Sequence, residues 1–322
     1  MKILVTGAAG FIGMHCAQRL LARGDTVIGV DNLSDYYSVD LKKARLKQLE
    51  PAHGFRFLEL DISAPTALER VFEEIRPDTV LHLAAQPGVR YSIEHPEPYF
   101  QTNLVGFGRL LEVCRHHKPK HLVFASSSSV YGANRKMPWS EADNVDHPVS
   151  LYAATKKSNE LMAHAYCHLY GVPMTGLRFF TVYGPWGRPD MSPMLFAKAI
   201  LEGKPIQVFN HGDMERDFTY IDDIAEGCVR VLDKPSDATP PYRIFNIGNH
   251  QPVRLTHYIE AMEQALGRKA ILDMKPMQPG DVKGTYADTA ALQAATGFAP
   301  STPLDAGLAK FAAWYRDYHR HG

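Results

Sequence analysis

The chain has 322 residues, of which 45% are hydrophobic, 22% charged and 10% aromatic, enough to bury a sizeable core in one large domain or two ordinary ones. Lysine plus arginine equals aspartate plus glutamate at 35 each, so no long-range field recruits nucleic acid or an anionic membrane surface. No apolar run approaches the roughly 18 residues of a membrane span, the opening MKILVTGAAG runs straight into a strand without a leader, and four scattered cysteines show no CxxC, so a cytoplasmic protein with reduced thiols is expected.

In chain order, β-rich apolar runs fall at 2–6, 26–30, 55–59, 79–83, 121–125 and 174–180. Helical stretches lie between them near 11–23, 66–75, 98–117 and 150–170; in the third, Leu104, Phe107, Leu111 and Cys114 read as a core-facing stripe. Near-continuous apolar strands with crossover helices predict an α/β fold, a Rossmann-like doubly wound parallel sheet covered on both faces. After about residue 180 the alternation stops at the Pro/Gly-rich loop GPWGRPDMSP. The reading is a dinucleotide domain over 1–180 and a smaller α/β substrate domain over 181–322, with parts of 216–248 packing back onto the first. The substrate domain closes over the carboxyl ends of the strands, where open α/β sheets bind ligands.

TGAAGFIG sets Gly7, Gly10 and Gly13 between the first strand and a helix, with Phe11 and Ile12 opening that helix. Glycines there let backbone amides approach a pyrophosphate, which the helix amino terminus also attracts. The second strand ends in Asp31-Asn32, 18 residues after Gly13. A carboxylate at that point accepts hydrogen bonds from both adenosine ribose hydroxyls and repels a 2′-phosphate, which favours NAD over NADP. Asp61 and Ile62 follow the third strand, bordering the adenine or forming a plain turn. Leu83, Ala84, Ala85 and Gln86 end the fourth, small enough at the alanines for close approach to a cofactor.

FASSSSVYG, residues 124–132, places four serines after an apolar strand rather than in a linker. About 25 residues later, SLYAATKK sets Tyr152 and Lys156 four apart on one helix face. An ammonium beside a phenol, helped by an oxidised nicotinamide, lowers the phenol's pKa and makes a base for a sugar hydroxyl. Fifteen histidines form no HExxH or comparable spacing, so no metal is expected, and SSSSV lacks the GxSxG elbow of a hydrolase.

TGAAGFIG, SSSSVYG, YAATK and RDFTYIDDI together resemble the extended short-chain dehydrogenase/reductase family, particularly the nucleotide-sugar 4-epimerases, over essentially the whole chain. The resemblance implies NAD as cofactor, a UDP-sugar substrate, a homodimer built on two helices, and Ser127 beside Tyr152 and Lys156 as the catalytic set, with Ser128 as the alternative hydroxyl. Relatives that eliminate water carry Asp-Glu after that serine, and decarboxylases often a Glu; this chain has Ser128 and Ser129. The stretches 31–46, 83–92 and 178–191 are similar to UDP-glucuronate 4-epimerases. That likeness suggests Ser127, Ser128 and Thr181 as donors to the sugar's carboxylate and Arg90 as its cation, unless Arg90 is a surface residue paired with Glu94. It places Arg188 toward the diphosphate, Arg216 on the phosphates, Phe209 at the uracil or in ordinary packing, and Gln278 and Asp281 near the diphosphate and uridine ribose. The expected reaction is C4 epimerisation of UDP-glucuronate to UDP-galacturonate through a 4-keto intermediate. The alternatives are a UDP-glucose/UDP-galactose 4-epimerase, a UDP-glucuronate decarboxylase and a non-catalytic NAD sensor.

Overall fold

A computed structural model describes residues 1–277 and 283–321. Seven strands form one sheet: β1 (Lys2–Thr6), β2 (Thr26–Asp31), β3 (Phe55–Glu59), β4 (Thr79–His82), β5 (His121–Ser127), β6 (Met174–Phe179) and β10 (Tyr242–Ile247). Their order is β10-β6-β5-β4-β1-β2-β3 and every pairing is parallel. The remaining strands are β7 (Thr181–Tyr183), β8 (Pro205–Val208), β9 (Glu215–Tyr220), β11 (Pro252–Arg254) and β12 (Ile271–Met274), in a three-stranded β11-β9-β7 sheet and a β12-β8 pair. Strand β10 follows a helix of the carboxyl-terminal half and returns to the edge of the large sheet beside β6.

The central strands are apolar throughout because both faces are covered. Along β1, Ile3 and Val5 enter one core while Leu4 enters the other, the period of two that a pleated strand imposes. The first core takes buried residues of α1 (Phe11–Ala22) and α8 (Ile221–Leu232), and the second those of α3 (Ala67–Ile75), α5 (Phe107–His117) and α6 (Leu151–Tyr170). Helices α2 (Val39–Lys47), α4 (Tyr91–Glu94), α7 (Ser192–Glu202), α9 (Leu255–Leu266), α10 (Ala290–Thr296) and α11 (Leu304–His321) complete the chain. Sequence periodicity did not reveal α2, whose inward residues are Leu41, Lys42, Arg45 and Leu46, half of them cationic.

The stretch expected as one helix over 98–117 is two pieces: a π-helical segment, Tyr99–Gly106, runs into α5. The wider turn shifts the register, so Asn103 is buried while Leu104 is only half-buried. Asn103 accepts from the Gln86 amide (2.8 Å) and donates to the Gln86 carbonyl and Thr155 Oγ1 (3.1 Å each), which pins the end of β4 to α6. Helix α6 starts where Ser150 caps it, the Oγ accepting from the Ala153 amide at 3.1 Å. Among the described residues, no helix is long and apolar enough to cross a membrane, and no group of three His, Cys, Asp or Glu side chains is placed to hold a metal.

Candidate active site

A cavity of about 680 Å³ opens along the carboxyl ends of the parallel strands. At one end, Gly7 has φ of +74°, and a Cβ there would lie 2.7 Å from the Ala84 nitrogen. At Gly13 a Cβ would come within 2.0 Å of the Gly7 carbonyl oxygen, so the loop and helix close only without side chains. Helix α1 has no side-chain cap and no acid in its first turn, which leaves its amides and positive end facing the cavity. Asp31 accepts one amide on each oxygen, from Leu33 (2.9 Å) and Ala9 (3.1 Å), and keeps lone pairs for two hydroxyl donors. Burial raises its pKa, opposed by the charges of Lys42 and Arg45 and by the two amides. At Asp61 burial also pushes upward, but bonds from Ser63 (2.7 Å) and Asn32 (3.0 Å) outweigh it and hold the carboxyl below its ordinary value. Every residue expected at the cofactor end, from Gly7 to Gln86, lines this cavity. A bare glycine turn, an uncapped helix start and a ribose-height carboxylate fit a dinucleotide.

The serine run ends β5 and turns into the cavity. All four serines border the cleft, but the Ser126 hydroxyl is committed to Glu160 Oε1, to which it donates at 2.7 Å. Ser127 Oγ donates to Ser129 Oγ at 3.1 Å, and Ser127 and Tyr152 line the same cavity. Burial raises the pKa of Tyr152, while the nearby Ser127 hydroxyl and the positive charge of Arg188 pull against it. Lys156 shares the cavity wall, its Nζ donating to the Ala125 carbonyl at 3.0 Å. Burial lowers the pKa of this lysine to about 8. Helix α6 is locked to the sheet one turn further on, where Glu160 takes a bidentate pair from Arg178, both contacts 2.8 Å and both residues buried.

The residues expected on the substrate side divide into two groups. Thr181 and Arg188 line the same cavity as Tyr152. Arg90 is exposed and is not among the residues lining the cavity; its guanidinium lies 5.3 Å over the ring of half-buried Phe209, not beside Glu94. That contact joins the loop before α4 to the turn after β8 and leaves Arg188 as the arginine on the cleft wall. Arg216 on β9 donates to the carbonyls of Glu215 (2.9 Å) and Lys283 (3.2 Å). Gln278 and Asp281 lie outside the described residues.

Sequence reasoning missed several side chains of the cleft. Tyr36 donates to Asp190 Oδ2 at 3.1 Å, and Asp190 in turn holds Arg188, with Arg188 Nε 3.1 Å from Asp190 Oδ1. Lys42 lines the cavity beside Asp31, its Nζ donating to the Ser34 carbonyl at 2.6 Å. Glu160 carried a signal: Tyr152, Lys156 and Glu160 recur every four residues and share one helix face. Asp190 and Tyr36 carried none, because they meet across 154 residues.

Fold and site first define a class, an enzyme that uses a bound dinucleotide to act on a hydroxyl of a small molecule. The chain belongs to the NAD dependent epimerase/dehydratase family, whose model matches residues 3–248. It is 48% identical to the probable UDP-glucuronate 4-epimerase of Rhizobium meliloti (strain 1021), over 99% of this chain and 98% of that protein. It is also 48% identical to UDP-glucuronate 4-epimerase 3 of Arabidopsis thaliana, over 100% of this chain and 78% of that one. Among solved structures, UDP-glucuronic acid 4-epimerase from Bacillus cereus, in complex with UDP-glucuronic acid and NAD, superposes with a TM-score of 0.91 at 36% identity, covering 99% of this chain and 100% of that one.

Proposed function

We propose that this protein is an isomerase, an NAD-dependent UDP-glucuronate 4-epimerase that interconverts UDP-glucuronate and UDP-galacturonate. The observation that carries the reading is that Ser127, Tyr152 and Lys156 line the same cleft as the glycine turn and Asp31. Relatives named for this activity align along nearly the whole chain.

Bound NAD supplies the hydride acceptor at C4 and returns the same hydride. Tyr152 removes the C4 hydroxyl proton in the first half of the cycle and gives it back in the second. Ser127 orients that oxygen, Arg188 favours the phenolate electrostatically, and Lys156 holds the nicotinamide ribose. Between the two half-reactions the 4-keto sugar turns over, and its carboxylate must be kept from swinging perpendicular to the plane of the ketone, the alignment that releases CO₂. In this reading the hydroxyls of Ser127, Ser128 and Thr181 and the charge of Arg188, all on the wall of the cleft, hold that carboxylate. Ser128 and Ser129 stand where acids would assist elimination. Residues 1–180 hold the cofactor and 181–322 contribute the UDP-sugar side, with Arg216 on the diphosphate.

A homodimer is part of this reading, supported by exposed Phe100 and Val105 on the π segment and by Leu161 and Leu169 on α6. A reducing, cytoplasmic setting is supported by four free, buried cysteines. The deciding assay incubates the purified protein with UDP-glucuronate, UDP-glucose and UDP-galactose separately and separates the products by chromatography. UDP-galacturonate from the first alone is the expected result; a UDP-pentose, or turnover of the neutral sugars only, contradicts it.

A further inference from the structure

Arg45 of α2 is fully buried and uses all five of its N–H groups on neutral oxygens. Its Nη1 donates to the Ala9 carbonyl in the glycine turn (3.1 Å) and to the Tyr37 hydroxyl (2.7 Å). On the far side, Nε and Nη2 donate to the Trp186 carbonyl (3.1 and 2.8 Å), and Nη2 also reaches the Gly187 carbonyl (3.2 Å). One guanidinium therefore ties the turn facing the pyrophosphate site to the two residues before Arg188.

The segment it grips is held in an unfavourable shape. Trp186 has φ of +65°, a left-handed conformation that costs a non-glycine residue on the order of 1–3 kcal/mol and persists only when its surroundings over-determine it. Here those surroundings are Arg45 on the carbonyl, Trp314 and Tyr318 on the ring (5.3 and 5.4 Å between centroids), and His15 Nε2, 3.0 Å from the Pro185 carbonyl oxygen. The amide of Ala9 binds Asp31 while its carbonyl binds Arg45, so the same residue touches the ribose carboxylate and the fork.

We infer that Arg45 is a positioning residue, which couples the dinucleotide turn to the placement of Arg188 and thereby to recognition of the substrate's sugar carboxylate. It touches neither substrate nor reacting atoms. The planar fork is what the job requires, since a lysine ammonium has no bidentate geometry to span both loops. The inference rests on the reading of Arg188 as the cation facing the uronate.

The test measures binding of UDP and UDP-glucuronate to NAD-loaded enzyme by calorimetry, together with the release rate of bound NAD. Arg45→Lys is expected to weaken UDP-glucuronate about tenfold, as when a charge-assisted hydrogen bond is lost, while UDP changes less than about twofold and NAD release accelerates. Arg188→Ala should weaken UDP-glucuronate without affecting NAD release, and adding Arg45→Lys to it should weaken UDP-glucuronate little further. Tyr37→Phe removes one acceptor of the fork and should give the Arg45→Lys pattern at smaller amplitude, which covers the case in which Arg45→Lys does not fold. Equal losses for UDP and UDP-glucuronate, or an undiminished Arg45→Lys effect in the Arg188→Ala background, would overturn the coupling alone. Unchanged UDP-glucuronate affinity in Arg188→Ala would overturn the reading of Arg188 and the coupling with it.

Discussion

The cofactor end of the cleft is built from strand termini and bare backbone, whereas the nucleotide end depends on long side chains carried by loops. Gly7, Gly13 and Asp31 are fixed where β1, α1 and β2 begin or end. Arg90 and Phe209 project from a loop and a turn and meet each other, 5.3 Å apart, instead of meeting the cavity. A site made by chain geometry is set once the sheet forms, while a site made by side chains also depends on which partners those side chains find.

The largest difference between the two ends should appear on replacing Tyr152. Tyr152→Phe deletes the proposed base and nothing of the glycine turn, so kcat should fall on the order of 10³-fold or more while bound NAD is retained through purification. Near-normal turnover, or a protein stripped of NAD, would erase the separation between catalytic residue and cofactor cradle.

Glu160→Gln tests whether helix α6, which carries Tyr152 and Lys156, is held by a buried ion pair. It leaves the Arg178 guanidinium uncompensated in the interior, and loss of about 3–5 kcal/mol in denaturant unfolding is expected. A loss below about 1 kcal/mol would mean that the pair is not what fixes the helix.

The same contrast governs what could be read from the sequence. Glycine spacing, the acid at the end of β2 and the four-residue Tyr152–Lys156 interval are local signals, and each sits where strand–turn–helix geometry requires. The π segment was hidden because its apolar residues fit an α-helical pattern equally well; only the burial of Asn103 in place of Leu104 reveals it. Arg45 looked like one cation in the charged stretch DLKKARLK, and its four acceptor oxygens come from segments up to 142 positions away. Long-range polar contacts leave no periodicity to find.

At the nucleotide end the proposed role of Arg216 is a charge-assisted contact instead of a proton transfer. Arg216→Ala should raise KM for UDP-glucuronate about tenfold with kcat nearly unchanged. A fall in kcat at constant KM would move Arg216 from binding into the chemistry.

A further effect concerns the sheet beneath both ends. Burial and the charge of Lys156 drive the His82 pKa down to about 3, and burial drives His121 down to about 4. Both folded values lie below the ordinary 6.5, so the unfolded chain binds the extra protons. Stability should be complete above pH 6.5 and fall on acidification toward pH 4, by up to about 1.4 kcal/mol per pH unit for each histidine. Denaturant midpoints across that range measure the slope, and His121→Gln should reduce it by about half; a flat profile would contradict the burial argument.

The central claim is that one hydride leaves C4 and returns to C4 within a single closed cleft. UDP-glucuronate deuterated at C4, incubated with the NAD-loaded enzyme in ordinary water, tests it by mass spectrometry and proton NMR of the UDP-galacturonate formed. The label should remain at C4 of the product, without loss to solvent and without added NAD. Product carrying hydrogen from water at C4 would contradict the account.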